Sequence, residues 1–259
     1  MPDCRANPTR GGFTLIELLA VIMIIAVLAS VLLPPLSRAK GSAQAAHCRS
    51  NLRQIGVALR LYLDDFNAYP LSAQASMWSN QLDAYLHQGE MKRIAPGDFT
   101  VKTGVFECPS QRFRPGDLQD SSGSYGYNSQ GLWTSLWIPD QPQGLGGYGF
   151  SPPATFLNSP TRESDVVAPS DMLALGDGFF KYRSGRIVVS SGLGRDAYTF
   201  GERQDERKTA EQRHSGRLNV VSCDGHVEAL TLRQLFFDRS DEALRRWNAD
   251  HEPHQERLP

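Results

Sequence analysis

From Leu18 to Leu33 every residue is apolar or small. Extended back to Phe13, the run is 21 residues long, about 31 Å as a helix, which matches the hydrocarbon thickness of a bilayer. Few soluble helices are apolar on all sides, so this segment sets the frame for everything after it. Arg5 and Arg10 precede the run and favour a cytoplasmic start; Arg38 and Lys40 follow it and weaken that bias. The mean hydropathy of the whole chain is only −0.38, so the remainder is polar and suited to water. The net charge is −1 and no Lys/Arg-rich block occurs, which gives no support to nucleic-acid binding.

An ordinary export signal is one reading of the N-terminus, with Val27-Leu28-Ala29 as a small-residue cleavage site before Ser30. Two features count against it. The apolar run continues through Val31, Leu32 and Leu33, and Glu17 interrupts its start. The stretch Gly11-Gly12-Phe13-Thr14-Leu15-Ile16-Glu17, followed by an apolar run that ends near Pro34, resembles the processing motif of type IV pilins and pseudopilins. The resemblance implies cleavage by prepilin peptidase between Gly12 and Phe13, N-methylation of Phe13 and retention of the anchor. It also implies a leader on the cytoplasmic side and an exported head. Glu17 then lies four residues from the new ammonium group, about 6 Å along the helix axis. An intramembrane carboxylate is costly unless paired, so its neutralisation by a neighbouring subunit's amine would favour assembly.

Pro34-Pro35 is expected to kink or break the helix after Leu33. Helical patterning resumes beyond it. Ala45, Cys48, Leu52, Ile55, Leu59, Tyr62 and Phe66 recur at spacings of three and four and mark one apolar face. Tyr69-Pro70 ends the segment. The resulting division is a leader at 1–12, a membrane helix at 13–36, an amphipathic helix at 37–67, a head at 68–248 and a flexible tail at 249–259. The expected fold is α+β, with a long kinked N-terminal helix packed on a mainly antiparallel sheet.

Within the head, Trp78, Leu82, Tyr85 and Leu86 suggest a second helix. Val101–Cys108, Ser124–Asn128, Met172–Leu175 and Arg186–Ser190 read as strands or extended segments. Residues 139–160, rich in proline and glycine, read as a long surface loop. Leu218–Cys223 and His226–Leu230 flank Asp224-Gly225, a strong signal for a tight hairpin with both turn residues at positive φ. Thr231 is placed to cap a helix containing Leu232, Leu235 and Phe236, and a last helix is expected over Asp241–Trp247. Three cysteines, Cys48, Cys108 and Cys223, lie beyond the leader. They allow one disulfide at most, and the sequence does not identify the pair.

His214 and Asp224-Gly225 are separated by nine residues. This spacing resembles the His-x9-Asp-Gly signature of a large bacterial group of prepilin-processed proteins with one exported domain. Cys48 with Asn51-Leu52-Arg53-Gln54-Ile55-Gly56, Cys108-Pro109-Ser110, Tyr125-Gly126-Tyr127-Asn128 and Leu175-Gly176-Asp177-Gly178 agree with it. The resemblance implies location and architecture more than activity.

Asp177, His214, Asp224 and His226 are the candidates for a metal site. Some pseudopilin heads bind calcium, but calcium wants six to eight oxygen ligands and no dense Asp/Asn loop is present. The simpler reading is a structural turn at Asp224-Gly225 with His214 hydrogen-bonded to it, and no cofactor. No nucleophile elbow, HExxH or phosphate loop occurs, so the chain is read as non-enzymatic. The implied partners are prepilin peptidase, other pilin-like subunits, an inner-membrane platform and an exported substrate. The competing reading is a membrane-tethered exported domain that binds or hydrolyses a ligand at a metal.

Overall fold

The computed structural model of the chain describes residues 14–72, 78–86, 91–93, 100–110, 124–129, 131–132, 144–146, 150–151, 155–156, 160–177, 180–181, 187–188, 193 and 213–258. The chain divides into two compact units, Met1–Ser42 and Ala43–Pro259. Helix α1, Leu15–Phe66, contributes residues to both.

In the first unit, all the large apolar side chains from Leu15 to Leu36 are exposed. This is the one described helix long and apolar enough to cross a membrane. A break at Pro34-Pro35 is not found, because both prolines lie inside the 52-residue helix. They deprive the carbonyls of Ser30 and Val31 of intrahelical donors, yet the helical hydrogen bonding on both sides carries the chain through.

In the second unit α1 buries Cys48, Asn51, Leu52, Ile55, Gly56, Ala58, Leu59 and Leu63. The expected apolar face therefore holds at Cys48, Leu52, Ile55 and Leu59, whereas Phe66 is exposed. Asn67 ends the helix in the left-handed region at φ 51° and donates its amide to the Leu63 carbonyl at 2.8 Å, an αL cap.

The partner of this face is a four-stranded antiparallel sheet. It comprises β3 (Tyr125–Tyr127), β6 (Leu173–Asp177), β9 (Arg217–Ser222) and β10 (Val227–Thr231), in the order β10-β9-β6-β3. Tyr125, Tyr127, Leu175, Val221 and Cys223 share a core with the helix. The opposite side of the sheet is also covered. Leu173, Leu218, Val220 and Leu230 pack there with Leu232, Leu235, Phe236, Leu244 and Trp247. Strands β6 and β9 are consequently buried on both faces. A bulge makes this compatible with the period of two. The register against β9 shifts between Leu173 and Leu175, and the extra residue turns Leu173 to the far core while Leu175 stays under the helix.

The second expected helix is α2, Trp78–Leu86, and Trp78 and Leu82 are fully buried. The strand expected over Val101–Cys108 is shorter. β2 covers Thr100–Lys102 and pairs with β1, Met91–Arg93. Gly104, at φ 70°, then starts a 3-10 turn through Phe106; the left-handed φ ends the extended run. Two further two-stranded pairs are β4 (Phe150–Ser151) with β5 (Thr155–Phe156), and β7 (Phe180–Lys181) with β8 (Ile187–Val188). The 139–160 stretch is thus not all surface loop, since it contains the first of these pairs and the fully buried Leu145.

After β10, Thr231 and Gln234 cap one another. The Thr231 amide donates to Gln234 Oε1 at 2.9 Å, and the Gln234 amide donates to Thr231 Oγ1 at 3.2 Å. The segment they open, Arg233–Phe237, is a single wide π turn closed from the Asp238 amide to the Arg233 carbonyl. Helix α3, Asp241–Arg245, follows with Ser240 as its N-cap. The segment expected as a tail is tied back by hydrogen bonds from Asn248 Nδ2 to the Glu252 carbonyl at 2.7 Å and from Gln255 Nε2 to Asp241 Oδ1 at 2.6 Å.

Candidate functional site

Three places hold the residues singled out from the sequence. The first is the start of α1. Gly12 and Phe13 lie outside the described residues. Glu17 accepts hydrogen bonds from the Thr14 amide at 2.9 Å and the Thr14 hydroxyl at 2.7 Å, and the Glu17 amide donates back to Thr14 Oγ1 at 3.3 Å. This is a capping box, which satisfies otherwise orphaned groups at the first turn. The Thr-x-x-Glu spacing is the signal for this cap, and the reading of Glu17 as a lone intramembrane carboxylate passed it over.

The second place surrounds His214. It sits in a short turn, Arg213–Ser215, in which His214 (φ 49°), Ser215 (φ 61°) and Gly216 (φ 86°) are all left-handed. Two non-glycine residues in succession there are strained. The strain aims the imidazole inward, between three partners. Nε2 lies 3.3 Å from Asp177 Oδ2 and 3.4 Å from Cys108 Sγ, while Nδ1 lies 3.1 Å from Ser110 Oγ.

Asp177, at the end of β6, is fully buried. Arg213 Nη2 stands 2.7 Å from its Oδ1, and the Asn219 amide donates to its Oδ2 at 2.8 Å. Burial alone would push the carboxyl upward. The Arg213 guanidinium, His214 and the Asn219 amide outweigh that push and hold it below its ordinary value. An Arg-paired carboxylate of this kind is a structural anchor, and its paired charge leaves little for a calcium ion.

Cys108 is bonded to Cys48 of α1, with Cα atoms 5.1 Å apart and a sequence separation of 60. The pairing left open by the sequence is therefore Cys48–Cys108, with Cys223 as a free buried thiol. Nearby, Asn51 Nδ2 donates to the Glu107 carbonyl at 2.9 Å and Gln44 Nε2 to the Pro109 carbonyl at 3.1 Å. These bonds tie the same helix to the Cys108 segment.

The third place is the Asp224-Gly225 turn. The Gly225 amide donates to the Ser222 carbonyl at 2.8 Å, and the Ser222 amide to the His226 carbonyl at 3.0 Å. Only Gly225 has positive φ, at 91°. The connection is therefore a type I turn closed by a left-handed glycine, rather than the two-residue turn with both positions positive. Asp224 Oδ1 accepts from the His226 amide at 3.0 Å and stands 2.7 Å from His226 Nδ1.

His214 is thus not bonded to the Asp224-Gly225 turn as expected; its carboxylate partner is Asp177. Nor do the four metal candidates converge. They form two pairs, Asp177 with His214 and Asp224 with His226. Asp177 sits beside Asn219, and the turn starts at Ser222, about 10 Å further along the strand. Arg213, Ser110, Cys48 and Cys108 complete the His214 cluster. Cys108-Pro109-Ser110 had been singled out as a motif, but nothing in its spacing pointed to His214.

The three places bear on different parts of the molecule, and so do the similarities to known proteins. The model of the prokaryotic N-terminal methylation motif matches residues 7–33, which include Gly12, Phe13 and Glu17. The chain is 39% identical over 70 residues to type II secretion system core protein G of Escherichia coli, covering 27% of this chain and 48% of that protein. It is 32% identical over 65 residues to core protein G of Pseudomonas aeruginosa, covering 25% and 46%. To the type IV major pilin protein PilA of Myxococcus xanthus it is 31% identical over 65 residues, covering 25% and 30%. The matches therefore span half or less of each relative. No solved structure matches the chain. The N-terminal quarter of the chain thus carries a prokaryotic N-terminal methylation motif and is similar to pseudopilins and a pilin, and the long helix set on an antiparallel sheet is a pilin-like layout.

Proposed function

We propose that the chain is a membrane-anchored, non-enzymatic subunit of a type II secretion pseudopilus or a type IV pilus-like assembly. The observation that carries this reading is the division of α1. Its first part exposes every large apolar side chain, while its residues from Cys48 to Leu63 form one wall of the head's core. A helix built this way holds a head to an apolar medium. Prepilin peptidase cuts between Gly12 and Phe13, Phe13 is N-methylated, and the head faces away from the cytoplasm. Sister subunits and an inner-membrane platform are the partners, and the amine of a neighbouring Phe13 neutralises Glu17.

Mass spectrometry of the membrane-extracted chain tests the processing step. A mature N-terminus at N-methylated Phe13 is the expected result. A start at Ser30 would mean an excised signal peptide, and both the anchor and the subunit role would fall.

A further inference from the structure

The sulfur atoms of Cys48 and Cys108 and a ring nitrogen of His214 all lie within 4.8 Å of one another. Among the described residues this is the group of three or more His, Cys, Asp or Glu side chains able to share an ion. We propose that, when the Cys48–Cys108 bond is reduced, these three side chains form a binding site for one zinc ion.

Ligand atoms bound at about 2.0–2.3 Å from a tetrahedral zinc lie roughly 3.3–3.8 Å apart, so on reduction the two sulfurs, now bonded to one another, part to that spacing, while the widest separation in the group, within 4.8 Å, closes to it. His214 Nε2 already faces Cys108 Sγ at 3.4 Å, and in binding zinc it gives up its present contact with Asp177 Oδ2 at 3.3 Å, which leaves Asp177 to Arg213 and the Asn219 amide. The other ring nitrogen lies 3.1 Å from Ser110 Oγ, the outer contact that fixes the ring of a ligating histidine. Both cysteines are fully buried and His214 is 9% exposed, so the ligands come from a packed interior. Cys48 is fixed by α1, Cys108 by the segment bonded to Asn51 and Ser124, and His214 by its left-handed turn.

Charge balance selects the ion. Asp177 is already neutralised by Arg213 at 2.7 Å. Two thiolates and a neutral imidazole carry two negative charges, which a divalent ion cancels and a monovalent one does not. A buried site left with net charge is strongly disfavoured. Soft thiolate and imidazole ligands exclude calcium and magnesium and suit zinc.

The chemistry balances in two steps. A dithiol reductant gives two electrons and two protons to the Cys48–Cys108 bond, yielding two protein thiols and the reductant's own disulfide. Zinc then replaces the two thiol protons, which leave to solvent. The disulfide and the zinc site are mutually exclusive states of the same three side chains. Neither depends on assembly into a filament.

The test uses the full chain in detergent, either oxidised or reduced without oxygen, and titrated with cobalt(II) as a spectroscopic stand-in for zinc. The reduced chain should take up one equivalent, with a thiolate-to-cobalt charge-transfer band that zinc abolishes; the oxidised chain should show none. Cys48→Ser or Cys108→Ser should remove the band, and Cys223→Ser should leave it. His214→Ala should weaken zinc binding by at least about tenfold, comparable to losses at the outer shell of such sites. The comparison of reduced with oxidised wild-type chain involves no substitution, so a misfolded variant cannot decide the outcome. Absence of the band in the reduced wild-type chain, its loss in Cys223→Ser, or uptake of copper(I) with no uptake of cobalt or zinc would each overturn the proposal.

Discussion

Gly56 of α1 and Gly225 of the hairpin turn meet backbone to backbone. A Cβ on Gly56 would stand 2.9 Å from the Gly225 carbonyl oxygen and 3.1 Å from Val221 Cγ1. The close crossing explains the glycine at Gly56; the glycine of the Asp-Gly signature is explained by its φ of 91°, since a Cβ there would meet nothing closer than 3.4 Å. Gly225 supplies the positive φ that closes the turn, and Gly56 supplies the space above it. Gly56→Ala forces the helix off the sheet and should cost about 1–3 kcal/mol, the range for an overpacked core. Gly225→Ala should cost about 1–2 kcal/mol from its left-handed backbone. Because the sites touch, the double variant should depart from the sum of the two. Denaturant unfolding followed by circular dichroism measures all three.

The Asp177–Arg213 pair is buried on both sides, at 0% and 4% side-chain exposure. Removing the charge of one partner strands the other, so Asp177→Asn should destabilise the head by about 3–5 kcal/mol. The carboxyl is held below its ordinary value in the folded chain. Its contribution is therefore complete above the unfolded value of about 3.9 and is lost as pH falls through the folded value. The stability of the wild-type chain should drop on acidification below about pH 4, and Asp177→Asn should flatten that limb. An unchanged acid limb in the variant would remove Asp177 from this role.

The Cys48–Cys108 bond closes a separation of 60 residues. Loop-closure entropy then assigns it about 4 kcal/mol. Reduction in the presence of a chelator, followed by urea unfolding, should show a loss of that order.

Burial pushes the Cys223 thiol up to about 12. Reagents that attack thiolates should therefore leave it unmodified in the native chain at neutral pH and label it once the chain unfolds. Mass spectrometry of native and urea-treated samples reads this directly. Labelling of Cys223 at equal rates in both would contradict the buried position.

Thr14 and Glu17 cap one another at the start of α1, and Glu17 is also the proposed partner of a neighbouring amine. Two substitutions separate these roles. Thr14→Ala removes the cap and keeps the charge, while Glu17→Gln removes the charge and keeps an acceptor. If the charge drives association, Glu17→Gln should lower co-purification of sister subunits, whereas Thr14→Ala should leave it near wild type. Equal losses in both would assign Glu17 to capping alone.

The sequence was most informative where a single element decides the outcome. The apolar spacing of Cys48, Leu52, Ile55 and Leu59 located the helix face, and Asp224-Gly225 located the hairpin, because both signals are local. It missed Asn51 and Gly56 on the buried face, since neither is a large apolar residue. The partner of His214 was not legible for another reason. Asp177 is 37 residues earlier in the chain, and only the pairing of β6 with β9 brings the two together. The hydrogen bonds that hold residues 249–258, from Asn248 to Glu252 and from Gln255 to Asp241, were not legible because they leave no periodic signature.

Cys48 is the first residue of α1 to be buried, six positions into the second unit. That location has a mechanical meaning. A pull transmitted up the helix from its N-terminal end meets the covalent Cys48–Cys108 staple before any of the packed residues beyond it. The load passes through that bond into the Cys108 segment, so the face from Leu52 to Leu63 is shielded and the helix cannot be peeled from the sheet one turn at a time. With the staple reduced, the same pull would unzip the face from Cys48 onward at lower force.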